Sequence, residues 1–486
     1  MNYYITTSIP YVNGEPHIGF GMELLQADVL ARAARLKGET VLFSTGTDEH
    51  GGKIEEKAAE QGVTPIEFAT KISSQFRDLA ALINASNDRF IRTTDQGHEQ
   101  RAAIIWQNLS KDIYKGSYTG WYCTGDEAFF TEAVVKENNG VCPNHNRPYE
   151  KIEEENYFFK LSAYAPQIKK AIEDDSLKIL PTTRKNEILN VINDGLDDIS
   201  ISRPKEKIGW GIPVPGDKTQ VMYVWFEALM NYITVLGYPE HEDFKNFWPA
   251  NVQVLGKDIL RFHAAIWPGM LLSLGLPLPG QLFVHGFITV EGQKMSKTLG
   301  NVIHPKQIID EYGVDAFRYY FLRHVSAYED GDFSWTKLHQ SYNNELGNEL
   351  GNAVQRTAAM ITQYQNGLIG DIPPAEHDVA QYWTALDNCR FDRALDEVWE
   401  QVRGLNQYID EAKPWQINKE GDADHLKEVL AYQVSCLLEI ADLIQPFMPD
   451  TALKIKHVFA DGVIRPIDGT LFPRKDARPT GSEQTK

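Results

Sequence analysis

Cysteine is scarce in this sequence: there are four in 486 residues, and two of them, Cys389 and Cys436, stand isolated in helical patterns. That scarcity excludes a disulfide-built scaffold and fits a chain kept in a reducing compartment. Long apolar runs are missing as well. The most apolar stretch, residues 264–278, is too short for a bilayer and is cut by Pro268, Gly269 and Pro277, so no membrane span is expected. Residues 1–11 hold no basic region before an apolar run, which argues against a secretory leader. Positive charge is in deficit, with 48 Lys and Arg against 67 Asp and Glu for a net charge of −19. No internal repeat stands out. The expectation is a soluble, cytoplasmic protein.

What is present is material for large cores. Hydrophobic residues make up 42% of the chain, with 10 Trp, 21 Tyr and 22 Phe, far from a disordered composition. The length suits about three domains. Tyr3 to Ile9 is rich in β-formers, Ile18 to Leu36 is helical in pattern and Thr40 to Ser44 is a second strand, so residues 1–110 open as a βαβ unit. Residues 111–205 turn to short, turn-rich pieces and read as a connective insertion. Apolar runs then return over residues 206–290 as the second half of the same sheet, and residues 291–340 link onward. The fold class expected is therefore α/β, with a split Rossmann-type parallel-sheet domain. Residues 341–461 follow as an all-α bundle, in which Leu346, Leu350, Ala353, Thr357, Met360 and Tyr364 fall within about 80° of one another at 100° per residue. Residues 462–486 are a polar, Pro-rich tail that is expected to be loosely ordered.

Two short motifs carry chemistry. Between the first strand and helix lies Pro10-Tyr11-Val12-Asn13-Gly14-Glu15-Pro16-His17-Ile18-Gly19-Phe20. A helix start offers unpaired N–H groups and the positive end of a dipole, and His17 adds a donor there, which suits a phosphate chain. Gly19 leaves room for a flat ring against the backbone. The alternative is a histidine that merely caps its helix. The second motif, Lys294-Met295-Ser296-Lys297-Thr298, lies between Gly292 and Gly300. Lysines three apart on such a loop can close on a triphosphate and neutralise charge on departing pyrophosphate; the alternative is a solvated charged loop.

His17-Ile18-Gly19-Phe20 and Lys294-Met295-Ser296-Lys297-Thr298 resemble the two signatures of the class I aminoacyl-tRNA synthetases, and nearly the whole chain is similar to the methionyl branch of that family. Residues 8–14, 46–51, 223–228, 256–259 and 284–287 carry that similarity in the family's order. The family's first signature usually ends in a second His where this chain has Phe20, and its second ends in Ser where this chain has Thr298. The resemblance implies a methionine–tRNA ligase: methionine's carboxylate attacks the α-phosphate of ATP, and the terminal ribose hydroxyl of tRNA then takes the methionyl group. It implies His17, Lys294 and Lys297 as catalytic, with Gly19, Gly256 and Asp258 also holding ATP and its Mg²⁺. Asp48 would take the substrate ammonium. Ile9, Tyr11, Trp225, Ala228, Leu229, Tyr232, Ile259 and His263 would line an apolar pocket suited to a thioether.

In the insertion, Cys123 and Asp126 are followed after 15 residues by Cys142 and His145, paired turns in a usual zinc arrangement with a carboxylate in place of one thiolate. They bind one Zn²⁺ or form a knuckle that folds without metal. In the bundle, Asn348, Asn352 and Arg356 recur every four residues, and Trp415 follows Lys413-Pro414. Amides and a guanidinium in a row can read unstacked bases and Trp415 can stack on one, or it can fill the core; the resemblance places all four at the anticodon site. Residues 341–460 hold 9 Lys and Arg against 19 Asp and Glu, so tRNA would be met by a local basic face and by stacking rather than by a broad field. No tRNA-binding extension of the kind that dimerises some relatives is present, so a monomer is expected. Competing readings are a synthetase for Leu, Ile or Val, a small nucleotidyltransferase, and a silent tRNA-binding paralogue motivated by Phe20. Residues 111–205 are too few for the editing domain the first would need.

Overall fold

A computed structural model describes the chain except for residues 126–127, 131, 144–145, 296–299, 375–376, 466–468 and 477–486. By their internal contacts the residues form two units, Met1–Pro16 with Thr40–Asp78 and Asn87–Val284, and His17–Glu39 with Leu79–Ser86 and His285–Lys486.

The first unit is built on a six-stranded sheet. Strand β1 (Asn2–Thr7) pairs in parallel with β2 (Thr40–Thr47) on one side and with Val252–Gly256 on the other. Beyond β2 lies β3 (Arg89–Arg92); beyond Val252–Gly256 lie Gln281–His285 and then Lys178–Leu180. The interior strands are buried nearly end to end, most of their Thr, Ser and Gln residues included, as in a sheet whose two faces are both covered. Lys178–Leu180 comes from the span read as an insertion, and supplies an edge of the main sheet. The rest of that span centres on a long antiparallel pair, Ile113–Cys123 with Glu150–Phe159. The split Rossmann-type reading of the sequence is what the fold displays.

The second unit is mainly helical. Helix α1 (Ile18–Leu36), although it connects β1 to β2 in sequence, belongs to it. In Phe391–Ala412 the buried set Phe391, Ala394, Leu395, Val398, Trp399, Val402, Leu405 and Ile409 follows the three-and-four spacing of one helix face. Leu346, Leu350, Ala353, Thr357 and Met360 are buried as their periodicity implies and Tyr364 is half-buried, but Tyr342–Gly351 is π-helical, with i→i+5 bonds that turn the chain by less than the 100° per residue assumed from sequence. Part of the tail is docked rather than loose. The Tyr342 hydroxyl donates to Pro473 O at 3.0 Å, and Asn343 exchanges two hydrogen bonds with the Lys475 backbone at 3.1 and 3.0 Å. An Asn side chain carries both a donor and an acceptor and so imitates a strand neighbour. The four thiols, Cys123, Cys142, Cys389 and Cys436, are all buried and free of disulfides. Among the described residues no helix is long and apolar enough to cross a membrane.

Candidate active site

From β1 the first unit's chain builds the sheet outward through β2 and β3, then returns to add Val252–Gly256 on the other side. A reversal of this kind leaves a crevice outside the carboxyl ends of the two central strands. Ile9 and Tyr11 follow β1, Asp48 follows β2, and Gly256, Asp258 and Ile259 follow or end Val252–Gly256. The ladder continues past the strands: Tyr11 and Asp48 form a parallel bridge, Val12 N–H donates to Asp48 O and Asp48 N–H donates to Pro10 O, both at 3.0 Å. Asp48 is thereby fixed beside Tyr11, and its side chain lies buried. Gly256 is buried and Asp258 exposed.

The same unit supplies an aromatic wall. Helix Val224–Ala228 carries Trp225, whose ring stacks on Phe262 with centroids 4.3 Å apart and planes 19° apart. Ala228, Leu229 and Tyr232 are buried next to it in sequence. His263 Nδ1 donates to Ile259 O at 3.0 Å. In the neutral ring that leaves Nε2 as the acceptor, and the Tyr232 hydroxyl lies 2.6 Å from it. Ile259, His263 and Tyr232 are thus joined by hydrogen bonds, and the wall offers one polar contact within apolar surroundings.

Sequence reasoning missed the polar layer beneath this wall. Glu227, fully buried, accepts from His50 Nδ1 at 2.8 Å and from His98 Nε2 at 2.9 Å, while His98 Nδ1 meets Thr234 Oγ1 at 2.8 Å. Burial alone would push the His50 imidazole down; the charge and hydrogen bond of Glu227 outweigh it and raise it to about 10. Burial likewise raises the Glu227 carboxyl, but His50 and His98 hold it below the ordinary carboxylate value. Next to His50, Glu49 is clamped by Arg92 through two bonds of 2.8 Å and by Thr94 and Thr47. A carboxylate inside the apolar run Val224–Met230 was the available signal, since a buried charge requires a partner.

In the second unit His17 is the N-cap of α1, its Nδ1 accepting from Gly19 N–H at 3.1 Å. The neutral ring then carries its proton on Nε2. Gly19 leaves that ring its place: a Cβ there would lie 2.9 Å from His17 Cε1, so a side chain would push the imidazole from its capping position. Phe20 packs against the imidazole, centroids 4.6 Å apart. Lys294 is exposed at the end of a hairpin, Ile288–Val290 with Gln293–Lys294, whose connecting Glu291 and Gly292 both have positive φ as a type I′ turn demands. Asn301 donates to Lys294 O at 3.1 Å across the loop. Lys297 lies outside the described residues.

Cys123 and Cys142 are buried in one small cluster with Val135 and Tyr149, while Asp126 and His145 lie outside the described residues. Two buried thiols in one cluster suit zinc as soft donors, and among the described residues there is no group of three or more metal-binding side chains. In the bundle Asn348 and Asn352 are exposed, and Arg356 is half-buried with Nη2 2.7 Å from Asp410 Oδ1. Trp415 is 36% exposed, on a short helix, Pro414–Glu420, that packs on Asn352–Gln365.

Comparison with known proteins gives a consistent picture. The family profile described as class I tRNA synthetases (M) matches residues 3–358. A methionine–tRNA ligase of Caldanaerobacter subterraneus is 45% identical over 93% of this chain and 73% of its own length. One from Brucella melitensis is 40% identical over 97% of this chain and 98% of its own. Among solved structures, Mycobacterium tuberculosis methionyl-tRNA synthetase in complex with methionyl-adenylate is similar with a TM-score of 0.91 and 36% identity, covering 97% of this chain and 100% of that one.

Proposed function

The chain belongs to the class I tRNA synthetases of the methionine type, and from that membership we propose how its residues share the work. It is an ATP-dependent methionine–tRNA ligase. Methionine's carboxylate oxygen attacks the α-phosphorus, the bond to the β-phosphate oxygen breaks, and pyrophosphate leaves; the terminal ribose hydroxyl of tRNA then displaces AMP from the adenylate. No covalent bond to the enzyme is required, so the protein contributes placement and charge.

In our reading Asp48 receives the ammonium, and Ile9, Tyr11, Trp225, Ala228, Leu229, Tyr232, Ile259 and His263 receive the thioether chain. Support comes from Tyr11 and Asp48 being bridged at the crevice and from the Trp225–Phe262 stack. Gly256 and Asp258 hold the nucleoside. His17 turns its protonated Nε2 to the phosphates, with Phe20 steadying the ring where many relatives carry a second donor. Lys294 and Lys297 meet the charge that grows on pyrophosphate, and the Mg²⁺ that travels with ATP screens the remainder. Asn348, Asn352, Arg356 and Trp415 read the anticodon, Arg356 exchanging Asp410 for RNA. Cys123, Asp126, Cys142 and His145 would hold one structural zinc. The protein works as a monomer in the cytoplasm, in keeping with its reduced thiols.

The observation that carries the reading is the set of hydrogen-bonded and stacked groups at the sheet reversal, apolar except for Asp48 and the Tyr232–His263 pair. Methionine should drive pyrophosphate exchange with ATP, whereas Leu, Ile and Val should not. A folded protein that binds tRNA yet exchanges with no amino acid would falsify the enzyme reading.

A further inference from the structure

Glu227 is buried completely, and both of its carboxylate oxygens are engaged by imidazoles from different parts of the chain. His50 comes from the loop after β2, two residues from Asp48. His98 comes from helix Gln96–Asn108. Glu227 itself lies on Val224–Ala228, between Trp225 and Ala228. The far end of the chain of bonds is also tied down: His98 Nδ1 meets Thr234 Oγ1, on the short helix Asn231–Thr234 that carries Tyr232. A ring closes over the loop from the other side, with Trp210 5.4 Å from His50, its Nε1–H donating to Glu49 O at 2.6 Å. The charged groups that face His50 are Glu227, Asp48 of its own loop and Glu99, whose carboxylate is 3.6 Å from Nε2.

A fold-only explanation for this network would accept any well-packed arrangement at the same place. An apolar substitute of similar volume often serves stability as well as a buried ion pair does. What an apolar substitute cannot do is fix a direction and a distance between two elements, because hydrogen bonds are directional and apolar contacts are not. The elements joined here are the two that carry opposite ends of the proposed methionine site.

We propose that Glu227 is a positioning residue for methionine: by bonding His50 and His98 at once, it sets the loop bearing Asp48 at a fixed distance from the helix bearing Trp225 and Ala228. The proposal rests on the reading of Asp48 as the ammonium partner. Glu227 touches no reacting atom. It holds the ammonium partner at the distance from the aromatic pocket that a side chain of methionine's length spans, and its loss is felt in methionine binding before it is felt in ATP binding.

The test is a double-mutant cycle read by equilibrium methionine binding and by pyrophosphate exchange, on the full chain. Asp48→Asn weakens methionine binding if the ammonium reading is right. Glu227→Gln should then raise the methionine KM about 10-fold, on the scale of a small misplacement of bound substrate, with the ATP KM within about twofold. In the Asp48→Asn background Glu227→Gln should add less than about twofold, because its effect passes through Asp48. If Glu227→Gln fails to fold, His50→Ala, which removes the donor to Glu227 from the loop, carries the same cycle. A normal methionine KM in a folded Glu227→Gln or His50→Ala protein overturns the proposal, as do losses that multiply in the double variant. Unchanged binding in Asp48→Asn overturns the ammonium reading, and the proposal with it, and is a separate outcome from an inert Glu227 beside a sensitive Asp48.

Discussion

The two units each bury a charged cluster, and they do so with different chemistry. In the first, Glu227 is held by two histidines. In the second, Arg318 is fully buried and its guanidinium donates to Asp28 Oδ2 at 2.7 Å, to the carbonyls of Phe447 and Pro446 at 2.7 and 2.8 Å, and to Ile83 O at 3.1 Å. Asp28 also takes Arg32 at 2.8 Å and the Ser86 N–H and hydroxyl at 2.7 and 2.6 Å. Burial pushes the Asp28 carboxyl up, but the two arginines and Ser86 outweigh it and hold it below the ordinary value. A guanidinium stays charged at any working pH. An imidazole does not, so one cluster is a permanent lock for α1 while the other can be set by its surroundings.

Breaking the lock should have the largest effect. Arg318→Met strands Asp28 and several buried carbonyls, and a loss of about 3 to 5 kcal/mol is expected in denaturant unfolding. A loss under about 1 kcal/mol would mean water or Arg32 replaces the guanidinium.

Following stability against pH sharpens the same contrast. The ordinary value of His50 is 6.5 and its folded value about 10. A raised folded value contributes stability that is complete below 6.5 and is lost as pH rises toward 10. Glu227 is shifted the other way, so its share is present above the ordinary carboxylate value of 4.5 and is lost only in acid. The stability difference between the native protein and His50→Gln should therefore shrink from pH 6.5 to 10, while that for Arg318→Met stays level over the same range. A His50→Gln difference that does not change across this range contradicts the assignment of a held proton.

Lys294→Ala and Lys297→Ala move the comparison from folding to rate. Each should slow adenylate formation about 100-fold, the scale of one lost oxyanion donor, leaving methionine affinity and thermal stability nearly unchanged because the charge they meet exists only as pyrophosphate departs. Normal single-turnover rates would remove them from the mechanism.

The smallest effect is expected at the bundle surface. Trp415→Ala should cost about 1 to 3 kcal/mol in tRNA charging through a lost base stack, with exchange untouched. Parallel losses in exchange and melting temperature would make it a packing residue.

Much of this architecture was legible because its signals are local. The strands at the sheet centre carry short β-forming stretches such as Tyr3–Ile5 and Val41–Phe43, the stripe from Leu346 to Met360 has helical period, and His17 at a helix start could be read either as phosphate donor or as cap; its Nδ1 does cap. What escaped was pairing at a distance. Glu227 meets residues 177 and 129 positions away, and no window of sequence contains that relation. The π-helical winding of Tyr342–Gly351 escaped because an apolar stripe of this length tolerates either turn. The tail's attachment escaped because its hydrogen bonds use backbone groups of Pro473 and Lys475, which every sequence possesses, and Phe472 adds a side-chain contact against Tyr342.

The burial of all four native thiols has a practical side. A maleimide dye or spin label meets no exposed native thiol among the described residues, so a single cysteine placed by Asn348→Cys becomes a selective attachment point without stripping the chain of its own cysteines. The unlabelled protein then serves as its own blank, and a slow rise in reactive thiols over time becomes a direct optical record of the knuckle or the bundle opening.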